Sequence, residues 1–86
     1  MPIQVTNRFV RQYGQLPAAT QSKVDKALKL LDANFRYPGL RSHLVTSAPG
    51  VFEAYVDVKY RMTFERHNDT LVMRNVNNHD ECLRNP

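Results

Sequence analysis

Val51-Phe52-Glu53-Ala54-Tyr55, then Val56-Asp57-Val58-Lys59, then Tyr60-Arg61-Met62-Thr63-Phe64-Glu65: this stretch carries a period of two. Phe52, Ala54 and Val56 fall on one side, with Glu53 and Tyr55 on the other. Tyr60, Met62 and Phe64 alternate in the same way with Arg61, Thr63 and Glu65. Successive side chains of a strand point to opposite faces, so the alternation predicts two half-buried strands joined by a tight turn around Asp57-Val58-Lys59. His67-Asn68-Asp69 predicts a second turn. Thr70 to Val76 is apolar on both sides, as a central strand is, and Asn77-Asn78 ends it. Upstream, Leu44 to Thr46 is a possible short strand broken by Ser47-Ala48-Pro49-Gly50. The tail His79-Asp80-Glu81-Cys82-Leu83-Arg84-Asn85-Pro86 leaves room for a very short final strand or turn.

The N-terminal half has a different period. Ile3 to Val5 is a short strand candidate. Thr6 offers an N-cap hydroxyl for a helix over Asn7 to Gln15, whose Phe9, Val10 and Tyr13 form one face. Gly14 and Pro17 punctuate its end, and Pro17 suits the first turn of a second helix running to about Asn34. Val24, Ala27, Leu28, Leu31 and Phe35 make its apolar stripe. Lys23, Lys26 and Lys29 lie on the other side, with Asp25 four residues before Lys29. Tyr37-Pro38-Gly39 stops the helix. The reading is an α+β domain of two layers over residues 1–86. A helical hairpin packs on a small, mostly antiparallel sheet in the order β-α-α-β-β-β, and the polar face of that sheet is left to water.

Composition narrows the class. The 86 residues are 42% hydrophobic and 23% charged, which suits a folded domain and not a disordered one. One cysteine, Cys82, cannot make an internal disulfide, and it reads as a small buried apolar residue. No run approaches the apolar length of a membrane span, and Met1 to Val5 lacks the character of a signal peptide, so a cytoplasmic setting without membrane contact is expected. His43, His67 and His79 lack the close pairing of a metal site, and no cofactor is called for. The net charge of +4 fits a phosphate-rich or acidic partner, although many basic surfaces bind neither.

Leu16-Pro17 between two helices, Tyr37-Pro38-Gly39-Leu40, Val51 to Tyr55, Tyr60 to Phe64 and His79-Asp80-Glu81-Cys82-Leu83 occur in this order. Together they resemble the RelE/ParE superfamily, the toxins of bacterial type II toxin–antitoxin pairs, across nearly the whole chain. The terminal His-Asp-Glu segment is most similar to the YafQ-like and RelE-like mRNA interferases. The resemblance implies a RelE-like microbial RNase-type fold and metal-independent cleavage of mRNA in the ribosomal A site. The RNA's own 2′-hydroxyl attacks the adjacent phosphate. It further implies a cognate antitoxin, acidic and wrapped around the toxin, with operator DNA contacted only through it.

Such a reaction needs a base, an acid and a cation for the phosphorane. Arg61 is the cation candidate, because alternation sets it on the open face and a guanidinium grips phosphate oxygens bidentately. It reads equally as a surface partner of Glu53 or Glu65. His79 is the acid/base candidate, since imidazole titrates near neutrality and YafQ-like toxins carry a catalytic histidine in this segment. Its other reading is a cap of the tail or a partner of Asp80. His67 and His43 are further candidates, and Glu53 is either a base or an ion-pair partner that orients Arg61. Tyr55, Lys59, Arg74 and Arg84 are candidates for RNA contact, Tyr55 by stacking. Their plainer readings are a groove for the partner at Tyr55, turn chemistry at Lys59, a solvated edge charge at Arg74, and pairing with Glu81 at Arg84. The helix lysines read as a solvated stripe or as a surface for ribosomal RNA or an acidic antitoxin. Two other functions stay open: a ParE-like inhibitor of DNA gyrase, and a catalytically degenerate toxin that only binds its antitoxin.

Overall fold

A computed structural model describes all 86 residues. Strand β1 (Ile3–Val5) leads into helix α1 (Asn7–Gly14) and helix α2 (Ala18–Ala33). A single 3-10 turn over Pro38–Leu40 precedes β2 (His43–Leu44), β3 (Val51–Tyr55), β4 (Tyr60–His67) and β5 (Thr70–Asn78). Helix α3 (His79–Arg84) closes the chain. The sheet order is β1-β5-β4-β3-β2. The β2–β3, β3–β4 and β4–β5 pairs are antiparallel, and β1 joins β5 in parallel.

The two N-terminal helices form for different reasons. At eight residues α1 is too short to stand alone. Thr6 caps it, its Oγ1 accepting the Phe9 amide at 3.1 Å. Helix α2 has no side-chain cap at its N-terminus, where Pro17 sits at the N-cap position, one residue before the helix starts. Packing holds it. Val24, Ala27 and Leu31 are buried, and each large side chain removed from water contributes about 1.5–3 kcal/mol. With Phe9, Phe35 and Leu40 they meet Ala54, Met62, Phe64, Leu71, Met73 and Val76 of the sheet. Leu28, expected in that stripe, is only half buried, whereas Thr20 in the first turn of the helix is buried. Asp25 does not pair with Lys29; it accepts the Tyr13 hydroxyl at 2.7 Å.

Strand β5 owes its mixed character to a bulge. Thr63 pairs with Asn75 and Phe64 with Met73, leaving Arg74 as the extra residue. Leu71 and Met73 face the core before the bulge and Val76 after it, which is why the run looks apolar on both sides. Two expectations need correction. Strand β5 continues through Asn77 and Asn78, and the tail is a helix rather than a strand or turn. Asn78 caps α3 through its side-chain oxygen, which accepts the Glu81 amide at 3.0 Å. The polar face of the sheet is also not simply open. Thr63 Oγ1 donates to the main-chain oxygen of Pro86 at 2.7 Å, and Asn75 Nδ2 donates to that of Asn85 at 3.2 Å. Thr63 and Asn75 are fully buried as a result. No helix is long and apolar enough to cross a membrane.

Candidate functional site

The uncovered part of the polar face is assembled by register. His43 stands opposite Glu53, and Tyr55 opposite Arg61. Glu53 and Tyr55 are two apart on one strand and share a face. Arg61 in turn faces Asn77 across β4 and β5, and His79 follows Asn77 by two. Three neighbouring strands and the start of α3 thus deliver one row of functional side chains. His79 is fixed at the first position of α3, and its amide donates to the Lys59 carbonyl at 2.8 Å.

These side chains line one cavity of about 170 Å3, formed by Arg41, His43, Glu53, Tyr55, Arg61 and His79. Glu53 is its buried element, only 5% exposed. Its Oε1 lies 3.8 Å from Arg61 Nε and 3.7 Å from His43 Nε2. Its Oε2 is buried with no hydrogen-bond partner. The Arg61 guanidinium donates to the carbonyls of Asp57 and Tyr60 and lies 4.6 Å from the centre of the Tyr55 ring. Arg41 lies 5.1 Å from the centre of the same ring. Two guanidiniums therefore rest on one aromatic side chain, an arrangement favoured by the quadrupole of the ring.

The imidazoles are set up differently. His43 Nδ1 sits 2.7 Å from the Arg41 carbonyl, which can only accept. That bond places a proton on Nδ1 and leaves Nε2, facing Glu53, as the nitrogen free to exchange one. His79 Nδ1 lies 3.5 Å from Asp80 Oδ1. Both imidazoles are about half exposed, at 59% and 47% of their side chains, so water and ligand reach them. Chemically, the cavity offers two guanidiniums for an anion and two imidazoles for proton transfer, with one carboxylate beside Arg61 and His43.

No family model matches the chain, and no curated protein matches its sequence. Solved structures do match its shape. YafQ from E. coli strain BL21(DE3) superposes with a TM-score of 0.77 at 17% identity, covering 92% of this chain and 93% of that one. The YoeB/ParE toxin from Agrobacterium tumefaciens gives 0.75 at 12% identity, over 92% and 99% of the two chains. The archaeal RelE–RelB complex from Pyrococcus horikoshii OT3 gives 0.75 at 10% identity, over 90% and 92%. The fold is that of the RelE/ParE toxins.

Within this RelE/ParE fold, His43, Glu53, Tyr55, Arg61 and His79 line one cavity, whereas four other candidates lie outside it. His67 is at the far end of β4, six residues and on the order of 20 Å along the strand from Arg61. It lies 3.7 Å from Glu65. Arg74 is not a solvated edge charge. It donates to Glu65 at 2.7 Å and to the Pro86 oxygen at 3.2 Å. Arg84 is paired with Glu81 on α3. Lys59 is exposed in the β3–β4 turn, where its amide and that of Tyr60 donate to Asp57 Oδ1, each at 2.8 Å. Burial raises the Asp57 carboxyl, but these amides and the Lys23 ammonium at 3.2 Å more than offset it and hold the group below its ordinary value. Arg41 was not foreseen. It has a positive φ of 51°, and Asn68 is the only other non-glycine residue with a positive φ. That conformation costs an arginine roughly 1–2 kcal/mol. The signal available was its position directly after Pro38-Gly39-Leu40, a turn that brings the next residue back onto the sheet.

Proposed function

We propose that the protein is the toxin of a type II toxin–antitoxin pair and that it cuts mRNA in the ribosomal A site, in the cytoplasm. The observation that carries the reading is the cavity itself, two guanidiniums and two imidazoles around one buried carboxylate. The RNA 2′-oxygen forms a bond to the adjacent phosphorus, the bond to the 5′-oxygen breaks, and a cyclic 2′,3′-phosphate and a 5′-hydroxyl result. One imidazole takes the 2′ proton and the other gives a proton to the departing 5′-oxygen. Arg61 and Arg41 bear the charge that grows on the phosphorane. The substrate provides its own nucleophile, and these side chains cover the remaining needs of the step without a metal. Glu53 orients Arg61 and His43.

The partner is an antitoxin. Fold neighbours include toxins solved in complexes named RelE–RelB, DinJ–YafQ and YoeB–YefM. The net charge of +4 suits an acidic partner as well as RNA.

The test is primer-extension mapping of an mRNA on translating ribosomes, without added metal, using the wild type, Arg61→Ala and His79→Ala. New 5′ ends at fixed codon positions that vanish in both variants are expected. Cuts that persist in His79→Ala reassign its proton to another group. No cuts by the folded wild type would refute ribosome-dependent cleavage; intact mRNA together with a DNA-damage response would point to gyrase.

A further inference from the structure

A second and larger groove adjoins the candidate site. It encloses about 460 Å3 between α2, the 3-10 turn and the end of β3, and Lys23, Lys26, Tyr37, Gly39 and Tyr55 are among its walls. Its volume is in the range of small-molecule sites. Tyr55 lines both this groove and the Arg61 cavity, so the two adjoin across one side chain. We infer that this groove is a nucleoside subsite that seats an unpaired base of the RNA next to the phosphate held at Arg41 and Arg61. The inference rests on the proposed RNA-cleaving reading of that cavity.

The chemistry of the walls selects this occupant. Unpaired bases are held by aromatic faces, with cations along the backbone. The ring of Tyr55 already carries two guanidiniums. Tyr37 provides the other ring of the groove, and it is 44% exposed. Gly39 makes room for it. A Cβ at that position would stand 3.1 Å from Tyr37 Cε1, so glycine lets the ring approach the turn closely. Lys26 reaches the rim from the exposed face of α2. Lys23 is turned toward Asp57, and their 3.2 Å pair neutralises the one acid in the wall. The groove therefore presents a partly exposed aromatic ring, a lysine ammonium without an acidic partner and no uncompensated negative charge. It suits an anionic chain with a planar group, and the adjoining arginines supply the next phosphate contact.

The test uses the whole protein and a trinucleotide methylated at every 2′-oxygen, which cannot cyclise. It is titrated while the NMR signals of the tyrosine rings and arginine side chains are followed. Signals of Tyr37, Arg41 and Arg61 are expected to move together along one saturation curve. Tyr37→Ala should weaken binding about tenfold, the scale of one lost base stack, and Tyr37→Phe should not. An analogue lacking the bases should bind the wild type about tenfold more weakly and be indifferent to Tyr37→Ala. Movement of Arg41 and Arg61 alone, with Tyr37→Ala without effect, overturns the subsite and leaves the cleavage reading standing. Movement of Tyr37 with an acidic Glu/Leu peptide but not with the trinucleotide makes the groove a protein-docking surface and also overturns it. A response at neither place overturns the subsite, while the cleavage reading stands or falls on the primer extension with ribosomes.

Discussion

Replacing Glu53 by glutamine separates what this carboxylate does for stability from what it does for the site. The side chain is 7% exposed, and its charge lies 3.8 Å from the Arg61 guanidinium. At an effective dielectric constant near 20, that distance gives an attraction of about 4 kcal/mol. Burying the pair costs several kcal/mol per ion, and the unpartnered Oε2 adds a desolvation cost of about 1–3 kcal/mol. Gain and cost are of the same size. Glutamine keeps the volume and one acceptor. Arg61 keeps its two carbonyl partners, so no guanidinium is stranded. Glu53→Gln should therefore change the unfolding free energy by less than about 1 kcal/mol, a shift in Tm of a few degrees at this chain length. Activity should fall much further, on the order of 100-fold, because Arg61 and His43 lose the charge that aims them and small misplacements are costly. Urea unfolding by linear extrapolation gives the first quantity and primer extension on ribosomes the second. A loss of 3 kcal/mol or more would show the carboxylate to be a structural anchor whose pairing wins over its desolvation. Wild-type cleavage by a stable Glu53→Gln would show that it does not aim the site.

Asp57 is held below its ordinary value, so it contributes stability above the unfolded carboxylate range near pH 4, and that contribution is lost as the pH falls through the lower folded value. The stability gap between the wild type and Asp57→Asn should accordingly be full at pH 6 and shrink below about pH 4 in urea titrations. Cys82 is fully buried, and desolvation pushes its thiol up to about 12. A thiol reagent at pH 7.5 should therefore modify it only as fast as the protein opens; rapid reaction of the native protein would contradict that burial. Thr6→Ala removes the cap of a helix too short to hold itself and should cost about 0.5–2 kcal/mol in chemical unfolding, without altering the cavity.

The β3–β4 hairpin was legible because apolar and polar side chains alternate along each strand, the pattern of a strand with two unlike faces. The shared face of Glu53, Tyr55 and Arg61 followed from it, while His43 and His79 lie outside the hairpin and needed the register of β2 and the start of α3. Helix α3 was harder. His79 to Arg84 holds only Cys82 and Leu83 as apolar residues, too few for a helical period to show. The signal was at its start instead. Asn78, with Glu81 three positions on, is the pattern of a capped N-terminus, and the acidic first turn and Arg84 in the last suit the helix dipole. The bulge at Arg74 left no composition cue, because an extra residue shifts the phase of the face without changing which residues are apolar. His67 and His79 carry the same imidazole, and the sequence ranked His79 first by its place after the last strand. Only the direction of β4 and β5 decides that one sits beside Arg61 and the other at the opposite end.

Helix α3 and the chain beyond it divide the polar face of the sheet into two regions with opposite properties. On one side, Thr63, Arg74 and Asn75 give their donors to the oxygens of Asn85 and Pro86, and that region is closed to ligand. On the other side, the same helix begins with His79 at the edge of the cavity. Its anchor between the two is Cys82, whose thiol donates to the Arg61 carbonyl at 3.1 Å and lies 3.6 Å from that of Asn77. The backbone that carries the guanidinium therefore also fixes the helix that carries the imidazole. An acid/base group on a six-residue helix would ordinarily be imprecise, since so short a helix has little stability of its own. Here the Asn78 cap, the His79 amide bond to Lys59 and the buried thiol tie it to two strands of the sheet. The covered half of the face is thus what allows the open half to hold its geometry.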